Sequence, residues 1–148
     1  MSRHLTKRGS RRLKSQSLIA AGKINPIQWD ISKGEAAQAL KNFGIPVKEV
    51  KKVHCLKHQV CVSYWDVEGK VCCSFFSYRI FDRWLEAVEN AIEDCQIIAQ
   101  WDSLSEIIEY ELVQFNYPVK MANQIWDKVK KRWYQLAEGI SVLEELRV

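Results

Sequence analysis

At Tyr78 the apolar residues of this chain change their spacing, and that change restricts the fold more than any other feature. Before it, Glu49 to Leu56, Gln59 to Asp66 and Lys70 to Ser77 are rich in Val, Tyr, Phe, Cys and Trp. Such residues suit a pleated, half-buried surface, so three strands are predicted. After it, Phe81, Trp84, Leu85, Val88, Ile92 and Cys95 fall at i, i+3, i+4, i+7, i+11 and i+14, with Asp82, Glu86, Glu89, Glu93 and Asp94 off that stripe. One face of a helix over about 78–99 has this pattern. A chain that alternates first and then runs at helical spacing must lay helices on an antiparallel sheet.

Turn and cap residues supply the remaining boundaries. Ser32 and Glu35 have the spacing of a capping box, which predicts a short helix over 33–43 with Gly44 and Pro46 as its stop. Between the second and third strands, Asp66-Val67-Glu68-Gly69-Lys70 suits a hairpin closed at Asp66 and Lys70, with Gly69 at positive φ. Closing it one residue tighter would exchange the faces of every side chain, so the longer loop is an expectation with consequences. A second capping box, Ser103 with Glu106, predicts a helix continuing through Leu104, Ile107, Ile108, Leu112 and Phe115. Pro118 suits the first turn of a last helix carrying Ala122, Ile125, Trp126, Val129, Trp133 and Leu136, with Gly139 as its terminator. The expected fold is α+β: a short N-terminal helix, a three-stranded antiparallel sheet, then three helices packed on one sheet face. With 148 residues, that makes one domain over 30–148, preceded by a basic arm and linker over 1–29.

Charge is divided unevenly along the chain. Residues 1–29 hold Arg3, Lys7, Arg8, Arg11, Arg12, Lys14 and Lys23 with no acid, a charge of +7, whereas residues 30–148 sum to −3. Up to Ser17 the arm has too little apolar content to offset its ordering entropy, so it is expected to be flexible. Lys41, Lys48, Lys51, Lys52 and Lys57 make a basic patch around the first strand, and Lys120, Lys128, Lys130, Lys131 and Arg132 another on the last helix. Between them, residues 79–111 carry nine acids and two arginines. Cationic blocks of this kind attract polyphosphates.

These features point to a small intracellular nucleic-acid-binding protein, regulatory or architectural, for DNA or RNA. Arg3, Lys7, Arg8, Arg11, Arg12 and Lys14 would contact phosphates, and Lys48, Lys51 and Lys52, or Lys128, Lys131 and Arg132, would contact them from the folded body. Six contacts correspond to a slope of log affinity on log salt near about −5 for duplex DNA. Tyr134, beside the basic run of the last helix, is the best-placed aromatic partner contact, because Trp84, Trp126 and Trp133 fall on core stripes. Ala36 to Val53 also fits a helix-turn-helix with Gly44 at the turn, which would place Lys48, Lys51 and Lys52 on a recognition helix. The alternative function is a protein-interaction adaptor or homodimer that uses Glu86, Glu89 and Glu93 as an acidic docking face.

Several chemistries are disfavoured. The α-β-β-β-α order is shared with double-stranded RNA-binding domains, but acids dominate where that module needs cations. Asp66, Glu68 and Lys70 have the order of a nuclease metal element, yet all fall within one turn and would splay apart. His54, Cys55, His58 and Cys61, with Cys72 and Cys73 nearby, raise a zinc or redox module. Their spacing is not that of a zinc site, and adjacent Cys72 and Cys73 must point to opposite faces of a strand. No catalytic motif is present, so neither a reaction nor a cofactor or metal is expected. Five cysteines, an odd number, argue for a reducing, cytoplasmic setting, and no apolar run is long enough for a membrane span.

Overall fold

The computed structural model describes residues 16–147, with side-chain surroundings over 16–139. A 3₁₀ turn at Pro26–Gln28 precedes helix α1 (Lys33–Asn42). Strands β1 (Val47–Cys55), β2 (Val60–Asp66) and β3 (Val71–Phe76) form one antiparallel sheet in the order β1-β2-β3. A second 3₁₀ turn, Tyr78–Ile80, leads into helices α2 (Asp82–Glu93), α3 (Ile98–Gln114) and α4 (Val119–Arg147). The helices lie on one sheet face, as the change of spacing at Tyr78 requires.

Both ends of α1 follow from its residues. The Ser32 hydroxyl accepts from the Glu35 amide at 3.1 Å. The Glu35 carboxylate leaves its half of the box and pairs with Arg83 at 2.6 Å. At the other end Gly44 takes φ 95°. The amides of Ile45 and Gly44 then reach back to the carbonyls of Leu40 and Lys41 at 2.9 and 3.0 Å, a Schellman closure that only a glycine adopts without strain.

Strand β1 overturns the helix-turn-helix expectation. Pro46 opens a strand, and Val47, Val50 and Val53 face the core although they lie three apart. Bulges between Val47 and Glu49 and between Val50 and Lys52 make this possible. Each bulge inserts one extra residue, so the next inward side chain comes after three positions instead of two, and a strand acquires the apolar spacing of a helix. The hairpin closes at the longer loop: Trp65 pairs with Val71, the Asp66 amide donates to the Lys70 carbonyl at 2.9 Å, and Gly69 has φ 83°. The Asp66 carboxylate accepts from the amides of Glu68 and Lys70, both at 2.9 Å. It therefore braces the turn.

Helix boundaries after the sheet differ from those predicted. The stripe of α2 is buried or half-buried throughout, but the expected 78–99 helix is cut at both ends. Ser77 caps the Tyr78–Ile80 turn through the Arg79 amide at 3.1 Å, and Phe81 is extended. At the far end Arg132 donates to the Cys95 carbonyl at 2.7 Å and ties the interhelical loop to α4. Helix α3 begins at Ile98 rather than at Ser103, with Gln100 accepting from the Gln96 amide at 2.7 Å. Trp101 also donates to the Val129 carbonyl at 2.8 Å, tying this early turn to α4. Gly139 does not end α4, and Trp133 is 38 % exposed rather than a core residue.

The segment read as linker belongs to the same core. Leu18, Ile19, Ile24 and Pro26 are buried. A buried polar network anchors it. Arg79 and Glu111 pair bidentately at 2.7 and 2.6 Å, the Leu18 amide donates to Glu111 at 2.8 Å, and the Tyr117 hydroxyl donates to it at 2.5 Å. The Trp84 indole in turn donates to Tyr117 at 2.9 Å. Burial, and then the carboxylate beside it, push the Tyr117 phenol well above its ordinary range, so it remains a donor.

Candidate nucleic-acid interface on the open sheet face

Helices cover one side of the sheet, and the register sets what the other side carries. Three rows cross it: Glu49, Trp65 and Val71; Lys52, Ser63 and Cys73; His54, Cys61 and Phe75. The opposite rows, such as Val50, Tyr64 and Cys72, face the helices. Cys72 and Cys73 thus lie on opposite faces, as strand geometry demands.

Lys48, Lys51 and Lys52 are exposed on β1. The first two occupy the bulges, where the strand's twist increases and a side chain is re-aimed. Lys51 Nζ stands 5.5 Å from the centre of the Trp65 ring, within cation–π range. Lys48, Glu49, Trp65 and Gly69 border a shallow depression there. Phe75 is 59 % exposed on the same face. Trp65 and Phe75 are separated by one strand and by four residues along β2, about 13 Å at 3.3 Å per residue. Alternating strand geometry brings cations and rings onto one surface, which separate inspection of strand composition did not reveal. The detectable sign in the sequence was the three-residue spacing of Val47, Val50 and Val53, which the bulges explain.

In the second basic candidate two cations share one carboxylate. Lys128 pairs with Glu93 at 2.7 Å, and Arg132 lies 3.6 Å from the same carboxylate while also binding the Cys95 carbonyl. The Lys128 hydrogen bond, reinforced by the charges of Lys128 and Arg132, holds Glu93 below the usual carboxylate range. One ion-paired cluster therefore takes a member from each of two separately expected surfaces. Lys131 and Tyr134 are exposed, and the Tyr134 ring packs edge-on against Trp133 at 5.2 Å. Glu86 is exposed and Glu89 half-buried on α2. Arg3, Lys7, Arg8, Arg11, Arg12 and Lys14 lie outside the described residues.

Other sites are less complete. No group of three or more His, Cys, Asp or Glu among the described residues is arranged to hold a metal. Cys95 is buried and its thiol is pushed up by that burial. On the open face, the Cys61 and Cys73 sulfurs lie 3.5 Å apart. Among the described residues, no helix is long and apolar enough to cross a membrane. Compared with known proteins, the chain matches no family model, no curated protein and no solved structure.

Proposed function

We propose that this chain binds single-stranded nucleic acid on the open face of its sheet, with the N-terminal arm adding phosphate contacts. The observation that carries this reading is the placement of Lys51 over Trp65, flanked on β1 by Lys48 and Lys52. Every base has a π-face, so a ring beside cations takes bases with little regard to sequence. Phe75 offers a second ring further along the same face. Duplexes fit less well: an unstacked base is needed to reach a ring on a sheet. No reaction is assigned to the chain.

Affinity on this reading divides into two parts. Stacking on Trp65 is worth about 1–3 kcal/mol. Six phosphate contacts from Arg3, Lys7, Arg8, Arg11, Arg12 and Lys14 contribute a salt slope near about −4 on a single strand. The adaptor reading has less support, because Glu93 of its acidic trio is already paired within the fold.

Fluorescence anisotropy with labelled oligo-U RNA, oligo-dT and duplex DNA, across a salt series, tests the proposal on the full chain. Trp65→Ala should weaken single-strand binding about tenfold while leaving the salt slope unchanged. Replacing the six arm cations by Gln should reduce the slope. Binding that is absent at low salt, or indifferent both to Trp65→Ala and to the triple Lys48/Lys51/Lys52→Ala variant, would overturn it.

A further inference from the structure

We infer that Cys61 and Cys73 form a dithiol on the open sheet face that a hydroperoxide oxidises reversibly to a disulfide. Their sulfurs are already 3.5 Å apart, and a covalent bond needs about 2.0 Å. They sit diagonally, since Cys61 faces Phe75 and Cys73 faces Ser63. Diagonal positions are wider than facing ones because they are offset along the strand, so closure needs β3 to slide along β2. Among the described residues β3 is an edge strand that pairs with β2 alone, so a slide breaks one ladder rather than two.

The two thiols differ in a way that assigns their order of reaction. Cys73 is exposed and Cys61 half-buried. The hydrogen bond with Ser63, and then the contact with Cys61, hold the Cys73 thiol below its ordinary range. The same contact, aided by burial, pushes Cys61 above it. A thiolate is the nucleophile in this chemistry. The Cys73 thiolate attacks the terminal oxygen of the hydroperoxide, and the O–O bond breaks to give Cys73 sulfenic acid and an alkoxide or hydroxide that takes a proton. Cys61 sulfur then attacks the Cys73 sulfur. The S–O bond breaks, the Cys61 proton leaves with the departing hydroxyl as water, and the S–S bond forms. Two electrons pass from the sulfurs to the peroxide. Overall, two thiols and one hydroperoxide give a disulfide, an alcohol or water, and water.

The remaining thiols are placed elsewhere. Cys55 and Cys72 lie in the rows that face the helices, and Cys95 is buried. A bond that closes by displacing an edge strand also reopens readily with an external thiol.

The test is titration of the intact chain with hydrogen peroxide, followed by peptide mapping without reductant. An intrachain Cys61–Cys73 link, with the mass of two hydrogens lost and two thiols consumed, is expected. Dithiothreitol should restore both thiols, and Cys72→Ser should behave like the parent. Cys61→Ser should leave a sulfenic acid at Cys73 that dimedone traps, whereas Cys73→Ser should give no such adduct at Cys61. The inference is overturned if both thiols survive peroxide, if the link involves Cys72, or if it forms only between chains. No polynucleotide enters this assay, so its outcome is independent of the binding proposal.

Discussion

Glu111→Gln should be the most destabilising conservative substitution among the described residues. The Glu111 side chain is 1 % exposed and that of its partner Arg79 is 4 % exposed. Its two oxygens accept four hydrogen bonds: Arg79 Nε and the Tyr117 hydroxyl on one, Arg79 Nη2 and the Leu18 amide on the other. An amide of the same shape offers one acceptor oxygen and one NH₂. In either orientation an Arg79 N–H meets the NH₂, together with either the Leu18 amide or the Tyr117 hydroxyl, which can turn to accept but then leaves its own proton without this acceptor. Arg79 cannot relax away, because it lies 3.6 Å from the Phe115 ring centre and 4.6 Å from that of Trp84. Breaking a buried pair in this way costs about 3–5 kcal/mol, a large share of the roughly 5–15 kcal/mol of a whole domain. With a urea dependence near about 1.5 kcal/mol per molar, the midpoint should fall by about 2–3 M. Tryptophan fluorescence during urea unfolding measures this directly. Hydrogen exchange at the Leu18 amide should accelerate in the same variant. The double variant Arg79→Met/Glu111→Leu removes both charges and should be more stable than Glu111→Gln. A Glu111→Gln midpoint within about 0.5 M of the parent, with Leu18 protection unchanged, would refute the assignment.

Two further outcomes rest on single contacts. Glu93 is held below the ordinary value of 4.5 by Lys128 and Arg132, so its contribution is complete above that value and disappears as pH falls through the folded-state value. The melting-temperature difference between the parent and Glu93→Gln should therefore be constant from pH 7 to about 5, shrink below 4.5, and shrink also with added salt. Gly69→Ala meets no atom within 4 Å, but φ there is +83°, so the cost is the backbone strain alone, about 1–2 kcal/mol. Chemical denaturation measures it, and an unchanged midpoint would mean that the hairpin closes differently.

The fold was legible where one signal had one physical meaning. The stripe from Phe81 to Cys95 read as a helix face, and of the two closures open to the hairpin the expected longer one, Asp66 to Lys70, is present. Legibility failed where a signal served two structures. Val50 and Val53 fitted a helix as well as the strand expected over Glu49 to Leu56; the strand is the one present, and two bulges give it the helical spacing. Ser103 and Glu106 had the spacing of a helix start, yet α3 was already under way because Trp101 reached the Val129 carbonyl from the preceding turn. Gly139 failed as a terminator for the reason that an isolated glycine costs a helix only about 1 kcal/mol, too little to end it.

The site was less legible than the fold, because charge is read along the chain and neutralised across it. Lys128, Arg132 and Glu93 belonged by sequence position to opposing surfaces, yet the two cations share the one carboxylate. Arg79 and Glu111, two members of an acidic stretch by count, turn out to be the buried clasp that fastens Leu18 to the helices. The consequence for the proposed binding surface is geometric. Fastening Leu18 sets the place from which the arm departs, while the bulges in β1 fix which lysines stand beside Trp65. On the proposed reading, tethering the arm at Leu18 raises the local concentration of its cations at the ligand. The folded face then has to supply only the short-range part of recognition, a ring and a few cations held at set positions. Such a division of labour makes salt dependence and base stacking separable quantities, each removable without the other.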